Sequence, residues 1–212
     1  MQNIRLFFLF LCFPTILFAQ TAQPPKVSEL PRQKRMLVLG DSLSEGYGVA
    51  KEASYAALLE KQIIAENKNW LVLNASISGS TSASAVGRLQ WQLKNKPDLM
   101  LLILGANDGL RGLKVEETEK NLNEAVKLAL SKKVKTILFG MKMPPNYGEK
   151  YTKDFEALFA KVAKQHKIEY VPFFLDGVAG DPKMNQADGI HPNELGHKKL
   201  AENVYRAIKD DL

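Results

Sequence analysis

Met36-Leu37-Val38-Leu39-Gly40-Asp41-Ser42-Leu43-Ser44 is the stretch whose reading decides the fold. Residues 36–39 are apolar without alternation, the pattern of a strand covered on both faces, as in a parallel sheet. The run stops at Gly40, and Ser42 follows at the point where a strand gives way to a helix. The same pattern recurs outward from here. Apolar runs lie at 70–75, 99–104, 136–139 and 168–173, and segments with helical spacing separate them. Leu59 and Ile63 share one face, and so do Val86, Leu89 and Leu93. Leu122, Ala125, Val126 and Ala129 form a third stripe; Phe155, Leu158, Phe159 and Val162 form a fourth. A last helix, carrying Leu200, Val204 and Ile208, is expected to open near Pro192, a favoured first-turn residue. Strand–helix alternation predicts an α/β sandwich with right-handed crossovers. Pro172 cannot donate to a ladder, which predicts that the fifth strand lies at an edge.

In such sheets ligands gather at the carboxyl ends of the strands. Four short blocks fall there: Gly40-Asp41-Ser42-Leu43-Ser44, Ser78-Gly79-Ser80, Gly105-Ala106-Asn107-Asp108 and Asp188-Gly189-Ile190-His191. Each block has a plain structural reading by itself. Ser42 suits a cap or turn serine, and Asn107 beside Asp and Gly suits a left-handed turn. Together they supply a nucleophile (Ser42), a base (His191) and a carboxylate three residues earlier to orient it (Asp188). They also supply oxyanion donors: the amides of Ser42 and Gly79 and the side chain of Asn107. Gly79, having no side chain, leaves room for close backbone approach. His166, beside Lys167, and His197, among lysines of the last helix, read as surface residues, which leaves His191 as the base. The second glycine of a Gly-x-Ser-x-Gly elbow is absent, which argues against an α/β-hydrolase. Leu110, Met143, Pro144, Pro145 and Tyr147 lie on strand-end loops and are candidates to wall an acyl slot, although ordinary loop packing explains them equally well.

These blocks, in this order, resemble the GDSL-type SGNH hydrolases. The likeness runs from about Met36 to the end of the chain. Within the family it is greatest to the bacterial periplasmic acyl-CoA thioesterase/lysophospholipase/arylesterase group, through 74–79, 107–112, 145–148 and 188–193. The resemblance implies a three-layer α/β/α sandwich around a flavodoxin-like five-stranded parallel sheet of order 2-1-3-4-5. It also implies hydrolysis of acyl esters or thioesters through an acyl-serine, with no metal and no cofactor. Ser80 departs from the group, whose members commonly carry aspartate there. Two other readings remain open at this level. One is an acetylesterase acting on cell-envelope carbohydrate, since the same blocks serve carbohydrate esterases. The other is a non-catalytic flavodoxin-like binding module, which lacks the expected phosphate-cradling glycine motif.

The chain has 212 residues and a formal charge of +6, with its lysines spread along helices. Solvated helix faces account for that charge without nucleic acid, and leave room for at most transient contact with a membrane surface. The expected partner is a small-molecule acyl ester, thioester or lysophospholipid, bound by a monomer. Residues 1–19 differ in character: Arg5, an apolar run to Phe18 and then Ala19 read as a secretory signal, too short to span a bilayer. Leu11 argues against lipid modification of Cys12, the only cysteine. The expected organisation is therefore a signal peptide at 1–19, an extended lead-in at 20–34 and one hydrolase domain at 35–212, with a periplasmic or secreted product that contains no thiol.

Overall fold

The computed structural model describes residues 32–212. The expected signal peptide at 1–19 and residues 20–31 of the lead-in lie outside the described residues. Five strands, β1 (Lys34–Gly40), β2 (Trp70–Asn74), β3 (Leu99–Ile103), β4 (Lys135–Phe139) and β5 (Glu169–Val171), form one sheet in the order β2-β1-β3-β4-β5. Every pairing is parallel. Among the described residues seven α-helices connect and follow the strands: α1 (Ser42–Glu45), α2 (Tyr55–Ala65), α3 (Ala85–Gln92), α4 (Ala106–Leu110), α5 (Val115–Ser131), α6 (Glu149–His166) and α7 (Glu194–Ile208). α2 packs on α7, while α3, α5 and α6 pack in series, so that helices cover both sides of the sheet.

The sheet order explains the apolar runs. β1, β3 and β4 are interior strands: Met36 to Leu39, Leu99 to Ile103 and Thr136 to Phe139 are all buried, with apolar side chains directed to both faces. β2 and β5 are the edges and are only partly covered. β5 ends at Val171, before Pro172, in accord with a ring that cannot extend a ladder. Helix stripes fill the remaining core. Phe155 and Phe159 of α6 meet edge-on at 5.4 Å, and Tyr55 of α2 and Phe139 of β4 both pack against Phe174.

Two expectations need correction. α7 opens at Glu194, not at Pro192: Asn193 caps it, its side chain accepting from the amides of Leu195 and Gly196 at 2.9 and 3.1 Å. Pro192 instead pairs with Asn185 in an isolated bridge ahead of the helix. His197 is not a surface residue. It is 1% exposed on the inner face of α7, one turn before Leu200, and its Nδ1 accepts from the Tyr55 amide at 3.2 Å. Burial lowers its pKa to about 4, so the ring is neutral. His166 is half-buried, with Nε2 2.9 Å from Oδ1 of Asn123.

Candidate active site

The chain after β1 must turn sharply. Gly40 permits this, because a Cβ there would lie 2.5 Å from the Cβ and Oγ of Ser44, where α1 folds back. Asp41 caps α1, its Oδ1 accepting from the Leu43 amide at 3.1 Å. Ser42 is thereby the first residue of α1, at the carboxyl edge of the sheet, and is 9% exposed. Asp41 itself is fully buried, and burial raises its pKa to about 6 against the opposing pull of the Leu43 amide, His191 and Arg88. Arg88 of α3 ties the strand ends together, donating from Nη2 to the carbonyls of Gly40 at 2.8 Å and Ala75 at 2.5 Å.

The loop at 185–193 delivers the imidazole. Asp188 Oδ1 accepts from the amides of Ile190 and His191, both at 3.0 Å, a turn closed by a side chain, with Gly189 at φ +73°. Its Oδ2 lies 2.7 Å from His191 Nδ1, and His191 Nε2 lies 3.0 Å from Ser42 Oγ. The bonds from His191, the backbone one first, lower the Asp188 pKa to about 2. A charged acceptor at Nδ1 places the proton there and leaves Nε2 to accept from the serine. Gln186 anchors the loop: its amide donates to the His191 carbonyl at 2.8 Å and its side chain to the Tyr47 carbonyl at 2.7 Å. The Tyr47 ring lies against the imidazole, 4.6 Å between centroids.

Beside the serine, Ile77 to Ser80 make a tight turn with Gly79 at φ +74°, and α4 brings in Asn107. Asn107 Nδ2 donates to the Ser80 carbonyl at 3.1 Å, and the same side chain also hydrogen-bonds the buried Asp41 carboxyl. A buried polar knot underlies both. Asp108 accepts from the Ser82 amide at 2.8 Å and its hydroxyl at 2.5 Å, and from Thr118 Oγ1 at 3.3 Å.

A cavity of about 250 Å³ opens from Ser42, Asn107 and His191. Leu110, Met143 and Pro144 line it, together with Leu175 and Ile190, which lie on loops without periodic signal, and Phe173, which the sequence places in the fifth strand but which lies beyond the end of β5 at Val171. Pro145 and Tyr147 are not among the residues lining it. Tyr147 stands behind the wall, its hydroxyl donating to the Leu110 carbonyl at 3.0 Å. Among the described residues no group of three or more His, Cys, Asp or Glu side chains is placed to hold a metal ion.

The model of the GDSL-like Lipase/Acylhydrolase family matches residues 38–199. The chain belongs to this family. Esterase TesA of Pseudomonas aeruginosa is 42% identical over 82% of this chain and 87% of its own length. Thioesterase 1/protease 1/lysophospholipase L1 of Escherichia coli is 39% identical over 82% of this chain and 83% of its own. The crystal structure of TesA matches with a TM-score of 0.82 at 42% identity, covering 84% of this chain and 100% of that one. This family member is a serine esterase, a hydrolase of ester bonds in small-molecule substrates.

Proposed function

We propose that Ser42 is the nucleophile, His191 the general base and Asp188 its orienting carboxylate, and that the esterase works through an acyl-Ser42 intermediate. The observation that carries this reading is the continuous line from Asp188 Oδ2 to His191 to Ser42 Oγ, with links of 2.7 and 3.0 Å, at the mouth of an apolar cavity. Ser42 Oγ attacks the acyl carbon as His191 Nε2 takes its proton. The negative charge on the carbonyl oxygen falls between the amides of Ser42 and Gly79 and the side chain of Asn107. The imidazolium, stabilised by Asp188, gives its proton to the departing alkoxide or thiolate. Water then attacks the acyl-serine, His191 accepting its proton and returning one to Ser42 as the acid leaves.

Leu110, Met143 and Pro144 would hold the acyl chain, with Tyr147 and Pro145 supporting that wall from outside. An apolar cavity suits chains longer than acetyl, and the thioesterase/lysophospholipase relative extends the proposal to thioesters and lysophospholipids. All five site residues come from one chain, so the proposed chemistry needs no residue from a second subunit. Tyr47 and Ile190, exposed beside His191, support transient contact with aggregated lipid. The basic and apolar residues at 1–19 support export to the periplasm or beyond.

Hydrolysis of p-nitrophenyl esters from acetate to palmitate, with Ser42→Ala as blank, tests the reading. A Ser42-dependent maximum at medium or long chains is expected. Activity on acetate alone would instead favour an acetylesterase of cell-envelope carbohydrate.

A further inference from the structure

Gly79 supplies a useful oxyanion donor only if its N–H faces the cleft, and that direction depends on the type of turn. The Ser80 amide donates to the Ile77 carbonyl at 3.2 Å, closing a four-residue turn with Ser78 and Gly79 at its centre. Gly79 has φ +74°, and Ser78 is not among the residues with positive φ. That combination is a type II turn; in type I the peptide between the two central residues is turned over and its N–H points the other way. A glycine at the third position tolerates either state, so something outside the turn must select one.

Three side chains grip this turn. Arg111 Nη2 donates to the Gly79 carbonyl at 2.9 Å, and Asn107 Nδ2 to the Ser80 carbonyl at 3.1 Å. Both act after the Gly79 amide. Glu45, the last residue of α1, acts before it: Oε2 accepts from the Ser78 amide at 2.7 Å and also from the Ser78 hydroxyl. Glu45 is three residues after Ser42, so one short helix carries both the serine and this acceptor. We propose that Glu45 is a positioning residue for oxyanion stabilisation, holding Ser78 so that the Ser78–Gly79 peptide presents its N–H to the reacting carbonyl. The proposal rests on the assignment of Gly79 as an oxyanion donor. Glu45 is exposed and touches no substrate in this scheme; its effect passes entirely through Ser78.

The experiment compares kcat and KM on p-nitrophenyl butyrate for wild type, Glu45→Ala, Glu45→Gln, Ser78→Ala and the Glu45→Ala/Ser78→Ala double variant, with thermal melts of each and Asn107→Ala as reference. Glu45→Ala is expected to lower kcat about tenfold with KM changed less than about twofold, short of the roughly 10²–10³ cost of losing a whole donor. Glu45→Gln, which keeps an acceptor oxygen, recovers most of the rate. Ser78→Ala costs less than Glu45→Ala and adds nothing to it in the double variant, because both act on one contact. An unchanged kcat in Glu45→Ala alongside a fall in Asn107→Ala overturns the role of Glu45 alone. Unchanged rates in both overturn the oxyanion assignment beneath it. A loss equal in Glu45→Gln and Glu45→Ala, or one that follows the melting temperature, also overturns the proposal.

Discussion

The backbone amide of Tyr55 donates to His197 Nδ1 at 3.2 Å, and the hydroxyl of the same tyrosine donates to Ser44 Oγ at 2.9 Å. One buried residue therefore joins the position two places after Ser42 to the helix that follows His191. The two halves of the site, far apart in sequence, meet through Tyr55 inside the core as well as at the surface.

Protonating His197 would replace the acceptor at Nδ1 with a donor facing the Tyr55 N–H, inside a site that leaves Nε2 without a hydrogen-bond partner. Its folded pKa of about 4 lies below the ordinary 6.5. Between these values the unfolded chain holds the proton and the folded one does not, so stability falls as pH drops through 6.5 and the loss is complete below 4. It amounts to up to about 3 kcal/mol. Thermal melts from pH 7 to 4 should show this slope, and His197→Gln should flatten it.

Asp41 titrates with the opposite sign. Its folded pKa of about 6 lies above the ordinary 3.8, so the folded state keeps a proton that the unfolded state has lost, and stability falls as pH rises from 3.8 through 6. Asparagine at this position keeps the oxygen that caps α1 and carries no charge. Asp41→Asn should therefore melt higher than wild type above pH 6, with the difference vanishing below pH 4; a difference independent of pH would contradict the buried ionisation.

Replacing the orienting carboxylate by its amide leaves the turn intact, since the remaining side-chain oxygen still accepts from the Ile190 and His191 amides. Asp188→Asn should nonetheless lower kcat by up to roughly 10⁴, because the imidazole loses the charge that selects its tautomer and stabilises its cation. Asn107→Ala should cost roughly 10²–10³ in kcat, with KM little changed. Steady-state kinetics on one p-nitrophenyl ester checks both.

A Cβ on Gly109 would collide with Met143 Sδ and lie 2.9 Å from Phe155 Cζ. Phe155 is locked in the core, so the methionine must give way, and Met143 lines the cavity beside Ser42. Gly109→Ala should shift the chain-length optimum towards shorter acyl groups, read from kcat/KM across the ester series.

Much of this was legible in sequence where a residue's surroundings follow from its neighbours in the chain. Residues 36–39, 99–104 and 136–139 are continuous apolar runs because β1, β3 and β4 are covered on both faces. The first three blocks were legible because each follows the end of a strand, while Asp188–His191, in the long loop between β5 and α7, was legible from its own Asp-Gly-Ile-His pattern. His197 was misread through its lysine neighbours, although it falls three residues before Leu200 and four before Ala201, on the buried stripe. Pro145 and Tyr147 were grouped with Met143 by adjacency, but a loop has no period to say which side faces the cavity. The roles of Arg88 and Glu45 depend on contacts between segments far apart in the chain, which leave no local pattern.

Covalent trapping addresses the nucleophile itself. The protein is treated with a fluorophosphonate and the modified peptide is mapped by mass, for wild type and for His191→Ala. The expected result is one adduct on Ser42, formed as esterase activity disappears, and greatly slowed without His191. An adduct on another residue that tracks the loss of activity, or full esterase activity in Ser42→Ala, would contradict the assignment of Ser42.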